Sequence, residues 1–324
     1  MRIVGLIVWS LLVCGGSLPA NALELEVPLA CEIGKDCWIQ QYADHDATDG
    51  AKDYKCGGET YDRHDGTDFR ALNTKSDVAV LAAAAGTVIA VRDGVEDHLA
   101  TTPELLRSVL KIECGNGVVI AHEGGYQTQY CHMRKGSVVV KVGDRLAVGA
   151  QLGKVGYSGA AAFAQLHFSL RHGAQKLDPF SGPLLAECGA ATTNFWSPAA
   201  KQKLAYHDSD ILEFGWSPHG ISFDALELGD GPSATPTAAW PELIVYMRAI
   251  NLKSGDELRL QITGPSGPLA EQVQILDHDK AEYAFGALAK SKAGNWPPGN
   301  YRGHLKVIRG GGPKIEMDIE AVLN

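Results

Sequence analysis

Apolar and polar residues alternate along much of this chain in short runs, and glycine-containing turns separate the runs at intervals of roughly 8 to 12 residues. From Asp77 onward the runs read "DVAVLAAAAGTVIAVRDG", "GNGVVIAHEGGYQTQYCHM", "SVVVKVGDRLAVGAQLGKVGYSG" and "AQLHFSLRHG". Val, Ile, Tyr and Thr at this density predict antiparallel strands, and the Gly124-Gly125 pair predicts a hairpin turn. "TTPELLRSVL" breaks the pattern. Thr102 can cap a helix, Pro103 suits its first position and Glu104 its first turn, so a short inserted helix is expected, either an embellishment or a lid over a groove.

Residues 23–60 show little periodicity and are expected to be loop-like, and the stretch "AATTNFWSPAAKQKLAYHDS" at 190–209 reads as a linker. Beyond it, "GISFDALEL", "ELIVYMRAI", "DELRLQITGP", "EYAFGAL", "YRGHLKVIRG" and "KIEMDIEAVL" read as further strands, with turns at Pro265-Ser266-Gly267 and Pro297-Pro298-Gly299. The expected fold is therefore all-β. An antiparallel core over 23–189 precedes a cysteine-free β-sandwich of immunoglobulin-like type over 210–324, and 324 residues suffice for two such domains. In the second, His219, His278 and His304 are scattered, so packing, spacing or recognition is its default role.

The first residues change the picture of where the chain works. Arg2, an apolar run from Ile3 to Val13 and the ending Ala20-Asn21-Ala22 predict a secretory signal over 1–22, cleaved before Leu23. Gly15, Gly16 and Pro19 interrupt the run short of the roughly 20 apolar residues a membrane anchor needs, and bulky Val13 disfavours a lipoprotein site at Cys14. The mature chain is expected to be exported, periplasmic or secreted, and free of the membrane. Six cysteines remain: Cys31, Cys37, Cys56, Cys114, Cys131 and Cys188. An even number in an oxidising compartment favours three disulfides. Among the possible pairings the preferred set is Cys31–Cys37 across a short loop, Cys114–Cys131 across the hairpin and, by elimination, Cys56–Cys188. A net charge of −9 without any Lys/Arg cluster argues against nucleic acid or anionic lipid as partners.

The candidate chemistry lies in three stretches. In "RHDGTDF", His64 and Asp68 stand four apart, with Gly66 between them able to form a tight or left-handed turn. In "FAQLHFSL", alternation puts Leu166, Phe168 and Leu170 on the core face and Gln165, His167 and Ser169 on the other. The same rule puts Tyr126, Thr128, Tyr130 and His132 together, away from Cys131 and Met133, so that His132 lines the same groove. Two histidines and a carboxylate suit a zinc ion with one position left for water, which lowers the pKa of that water and polarises a carbonyl.

With these residues the chain resembles the lysostaphin-type (LytM-like) zinc endopeptidases of bacterial cell walls. The family's first motif is matched by "HDGTDF" from His64 to Phe69, the middle one by "YCHM" from Tyr130 to Met133, and the HxHFE motif by "QLHFS" followed by Asp178-Pro179. The resemblance covers roughly residues 50–182. It implies zinc ligands at His64, Asp68 and His167, a catalytic role for His132, and Gln165 where the family has a second catalytic histidine. It also implies hydrolysis of peptide bonds in peptidoglycan. Some relatives have lost their metal and regulate other wall hydrolases, so a zinc-bearing but inactive wall-binding or regulatory protein is the alternative. A glutamine can donate a hydrogen bond to a developing oxyanion but cannot exchange a proton near neutral pH, which implies slow turnover.

Overall fold

The computed structural model describes residues 23–184, 187–190, 193–232, 235–291 and 295–324. The signal segment expected at 1–22, with Cys14, lies outside the described residues. The first part of the chain forms β1 (Cys37–Gln41), β2 (Thr67–Ala71), β3 (Ala79–Leu81), β4 (Gly86–Arg92), α1 (Pro103–Ser108), β5 (Asn116–Ala121), β6 (Tyr126–Met133), β7 (Arg145–Leu146), β8 (Gln151–Lys154), β9 (Gln165–His172), β10 (Gln175–Asp178) and β11 (Gly182–Pro183). Its main sheet runs β1-β2-β9-β6-β5-β4-β7, with β10 added beside β9, and β3 pairs with β8 separately. Helix α1 begins as its sequence predicts, with the Thr102 hydroxyl accepting the Leu105 N–H. The β5–β6 hairpin turns through Glu123–Gly125, where Gly124 and Gly125 both take positive φ.

One face of this sheet carries the core. Phe69, Ala71, Ile120, Tyr130, Leu166, Phe168 and Leu170 are buried there, and each fully buried large side chain contributes roughly 1.5–3 kcal/mol. The opposite face of β2 and β9 is polar and carries the site. Three disulfides, Cys31–Cys37, Cys56–Cys188 and Cys114–Cys131, match the expected pairing.

The second part forms α2 (Pro198–Lys203), β12 (Asp210–Ser217), α3 (Phe223–Glu227), β13 (Glu242–Leu252), β14 (Glu257–Gly264), β15 (Gly267–Ile275), β16 (Lys280–Lys290), β17 (Gly299–Arg309) and β18 (Gly312–Leu323). A three-stranded sheet β12-β13-β16 and a four-stranded sheet β15-β14-β17-β18 bury Val245, Met247, Phe285, Leu260, Leu305 and Val307 in one common core, which makes a two-sheet antiparallel sandwich.

Three expectations are corrected. Residues 37–41, expected in a loop, form β1; Ile39 enters the first core while Trp38 joins Leu212 and Ile250 of the sandwich, and a strand buried on both faces shows no alternation. The stretch 190–209, expected as a linker, packs Phe195, Trp196, Ala200 and Leu204 into the first core. "GISFDALEL", expected as a strand, contains α3, because the Ser222 hydroxyl accepts the Ala225 N–H and starts a helix.

Candidate metal centre

Strands β2 and β9 assemble the ligand positions. Asp68 and His167 are directly opposed in the ladder, so both side chains leave the face opposite Phe69 and Phe168. His64 arrives from the turn before β2, where Arg63 adopts φ 64°. Of the tight or left-handed turn expected at Gly66, the left-handed alternative is not adopted. A Cβ there would lie 2.6 Å from Phe168 O and 2.7 Å from the His167 ring, so glycine is required for the close approach of β9.

Three ligand atoms converge. His64 Nε2 lies 3.2 Å from Asp68 Oδ1, His167 Nδ1 lies 2.9 Å from the same oxygen, and the two nitrogens are 3.2 Å apart. Atoms about 2.0–2.2 Å from a zinc ion at tetrahedral angles are separated by about 3.3–3.6 Å, and the observed triangle is close to that size. The donor set, two imidazoles and one carboxylate, fits zinc.

The outer atoms of these candidate ligands are held as those of metal ligands usually are. His64 Nδ1 donates to Tyr42 O at 2.6 Å. His167 Nε2 lies 3.3 Å from Asp65 Oδ1, and Asp65 is paired with Lys176 at 2.6 Å. With its amide nitrogen toward Asp68, Gln165 donates to Oδ2 at 3.0 Å and to Oδ1 at 3.1 Å. Asp65 escaped sequence reasoning, although its charge inside "HDGTDF", between the two ligand positions, was a usable signal.

Charges are strongly coupled here. Burial disfavours the Asp68 carboxylate, but the adjacent His64 and His167 outweigh it and hold Asp68 below the usual carboxylate range. Burial likewise opposes the His167 cation, yet its contacts with Asp65 and Asp68 prevail and raise it to about 9. The hydrogen bond from His167, with help from Lys176, keeps Asp65 low.

His132 reaches this site by a route that alternation did not foresee. Thr128 and Tyr130, expected beside it over the groove, are buried in a hydrogen-bonded pair beneath the sheet, 3.1 Å apart. The ladder pairs Asn116 with Met133 and Val118 with Tyr130, so Gly117 alone faces both Cys131 and His132. This bulge, with His132 at φ 62°, puts two consecutive side chains on the groove side. His132 Nδ1 meets Ser158 O at 2.8 Å, and burial first, then His167, pushes its pKa down to about 4. Tyr61, Asp65, Gln129, His132, His167 and Ser169 line a groove of about 230 Å³, with the Cys114–Cys131 disulfide in its wall. Gln165 is not in that lining; it is 5% exposed, against 7% for His132.

Residues 62–179 match the model of peptidase family M23. Among curated proteins, an uncharacterized metalloprotease of Buchnera aphidicola subsp. Baizongia pistaciae is 28% identical over 83 residues, covering 26% of this chain and 19% of the relative. The chain thus spans about a fifth of that relative's length. Among solved structures, the catalytic domain of the antimicrobial peptidase lysostaphin from Staphylococcus simulans matches at 21% identity and a TM-score of 0.27, covering 43% of this chain and 85% of that one. A zinc containing peptidase from Vibrio cholerae matches at 22% identity and a TM-score of 0.28, covering 47% and 40%.

Proposed function

We propose that this chain, whose residues 62–179 carry a peptidase family M23 domain, is an exported zinc endopeptidase that hydrolyses peptide bonds in peptidoglycan. The observation that carries the reading is the triangle of His64 Nε2, Asp68 Oδ1 and His167 Nδ1 beside a groove that His132 also lines. When bound, zinc supplies a Lewis acid for the scissile carbonyl and lowers the pKa of water to about 7.

The chain's own residues supply the rest. His132 donates from Nδ1 to Ser158 O, which fixes the tautomer and leaves Nε2 with its lone pair as a proton acceptor in the groove. Gln165 holds Asp68 in place through its amide and can donate but not exchange a proton. One imidazole then carries the proton transfers, and turnover is slow. Three disulfides support export, and peptidoglycan peptides rather than nucleic acid or membrane are the partners. The C-terminal sandwich, of immunoglobulin-like type, docks against this unit and serves packing or recognition. The same Gln165 favours a second reading, a zinc-bearing wall protein that binds or regulates without cleaving.

Mass spectrometry of muropeptides released from purified sacculi separates the two. The enzyme releases new peptides, a chelator stops it, and His132→Ala reduces release by about 10²- to 10⁴-fold. No release above the chelated control, with zinc bound, would replace the enzyme by the regulatory reading.

A further inference from the structure

His132, at φ 62°, occupies the left-handed backbone region that non-glycine residues rarely adopt, so something outside it must hold it there. Three restraints do so. Its N–H donates to Cys114 O at 2.8 Å, its ring donates to Ser158 O at 2.8 Å, and the preceding residue is covalently joined to Cys114. The two anchors share one buried frame. The Ser158 hydroxyl donates to Met133 O at 2.8 Å and accepts the Asn116 N–H at 2.9 Å, while Asn116 Nδ2 donates to Met133 O at 3.1 Å.

The direction of the effect follows from strand geometry. A regular β6 would send position 132 to the same side as Thr128 and Tyr130, into the core. Only a bulge fixed at this point turns the imidazole into the groove. The disulfide spans that bulge: Cys114 precedes the β5 end of the ladder, and Cys131 is one of the two residues that Gly117 faces. The other two disulfides do not line the groove.

We propose that the Cys114–Cys131 disulfide and Ser158 together position His132, holding the bulge that aims its ring at the groove. The proposal rests on the reading of His132 as the proton-transfer group, but its structural half is measurable without turnover. His64 provides an internal reference, because its Nδ1 also donates to a backbone carbonyl, that of Tyr42.

The experiment compares the zinc-loaded full chain with Cys114→Ser/Cys131→Ser. The readouts are metal content, peptide release and long-range ¹H–¹⁵N spectra of ¹⁵N-histidine-labelled protein. Expected are unchanged zinc, kcat lower by about 10- to 100-fold with KM little altered, and loss of the His132 Nδ1–H line while the His64 line stays. Retention of the His132 line and of the wild-type rate would overturn the proposal. If wild type releases no peptide, the enzymatic reading fails, and the His132 line alone still decides the positioning. Should the double variant not fold, Ser158→Ala takes its place: it should shift or broaden the same line, and an unchanged spectrum and rate count against the frame.

Discussion

Two clusters of charged side chains lie buried on one face of the β2–β9 pair, separated by a single step along the strands. At Asp68 and His167 the strands carry the candidate metal centre; two residues on, Arg70 is opposed to Gln165 and enters a cluster shared with the sandwich. Arg70 and Arg248 are both 0% exposed. Both pair with Glu227 of α3. Arg70 also donates to Glu282 at 2.9 Å and to Gln40 at 2.7 Å, and Arg248 to Glu282 at 2.7 Å and to Glu213 at 3.3 Å. The remaining Glu227 oxygen accepts the Ala164 N–H at 3.0 Å. In this second cluster guanidinium donors meet carboxylate and amide acceptors, with Arg70 Nε alone among its described buried polar atoms left without a partner. In the first, a carboxylate oxygen and two imidazole nitrogens point at one another, which is repulsive unless a proton or a cation lies among them. The lesson is that the matching of donors to acceptors, rather than burial or charge density, separates a structural ion cluster from a metal site.

The comparison breaks most visibly at Glu227. Glu227→Ala leaves two buried guanidinium groups short of a partner and should cost about 3–5 kcal/mol of stability, read by denaturant unfolding, while zinc content stays at the wild-type value. Loss of zinc in folded Glu227→Ala would mean that the two clusters are one unit. Gln165 stands between the clusters, and there Gln165→His should raise peptide release from sacculi by about 10²-fold; an unchanged rate would assign Gln165 to holding Asp68 alone. The smallest effect sharpens the difference in protonation. The pKa of His167 is raised from 6.5 to about 9, so its ion pairs stabilise the metal-free protein fully below pH 6.5, and that contribution is lost as pH rises through 9. Metal must displace this proton, so apparent affinity should rise about tenfold per pH unit across that window. Calorimetry in buffers of different ionisation enthalpy should find about one proton released per metal bound near pH 7.5, and none released would contradict the apo-state charge pairing.

How legible each part was depended on whether one local rule governed it. The alternation of β9 assigned Leu166, Phe168 and Leu170 to the core and His167 to the other face, and the motif spacing brought His64 and Asp68 to it. His132 reached the groove against alternation, because a bulge opposite Gly117 cannot be read from the strand that contains it. Trp38 and Ile39 hid β1, since burial on both sides erases the polar half of the pattern. The burial of Arg70 and Arg248 follows only from docking of the sandwich, a tertiary event with no local signature. The apolar alternation of "GISFDALEL" suits a strand, and only the Ser222 cap signals the helix that carries Glu227.

Elemental analysis of purified full-length protein after dialysis against trace zinc tests the distinction most directly, with wild type, His167→Ala and Glu227→Ala run side by side. One zinc per chain in wild type and in Glu227→Ala, and none in His167→Ala, is the result predicted by three potential ligand atoms converging within 3.2 Å. Zinc retained in His167→Ala, or absent from all three, would contradict it.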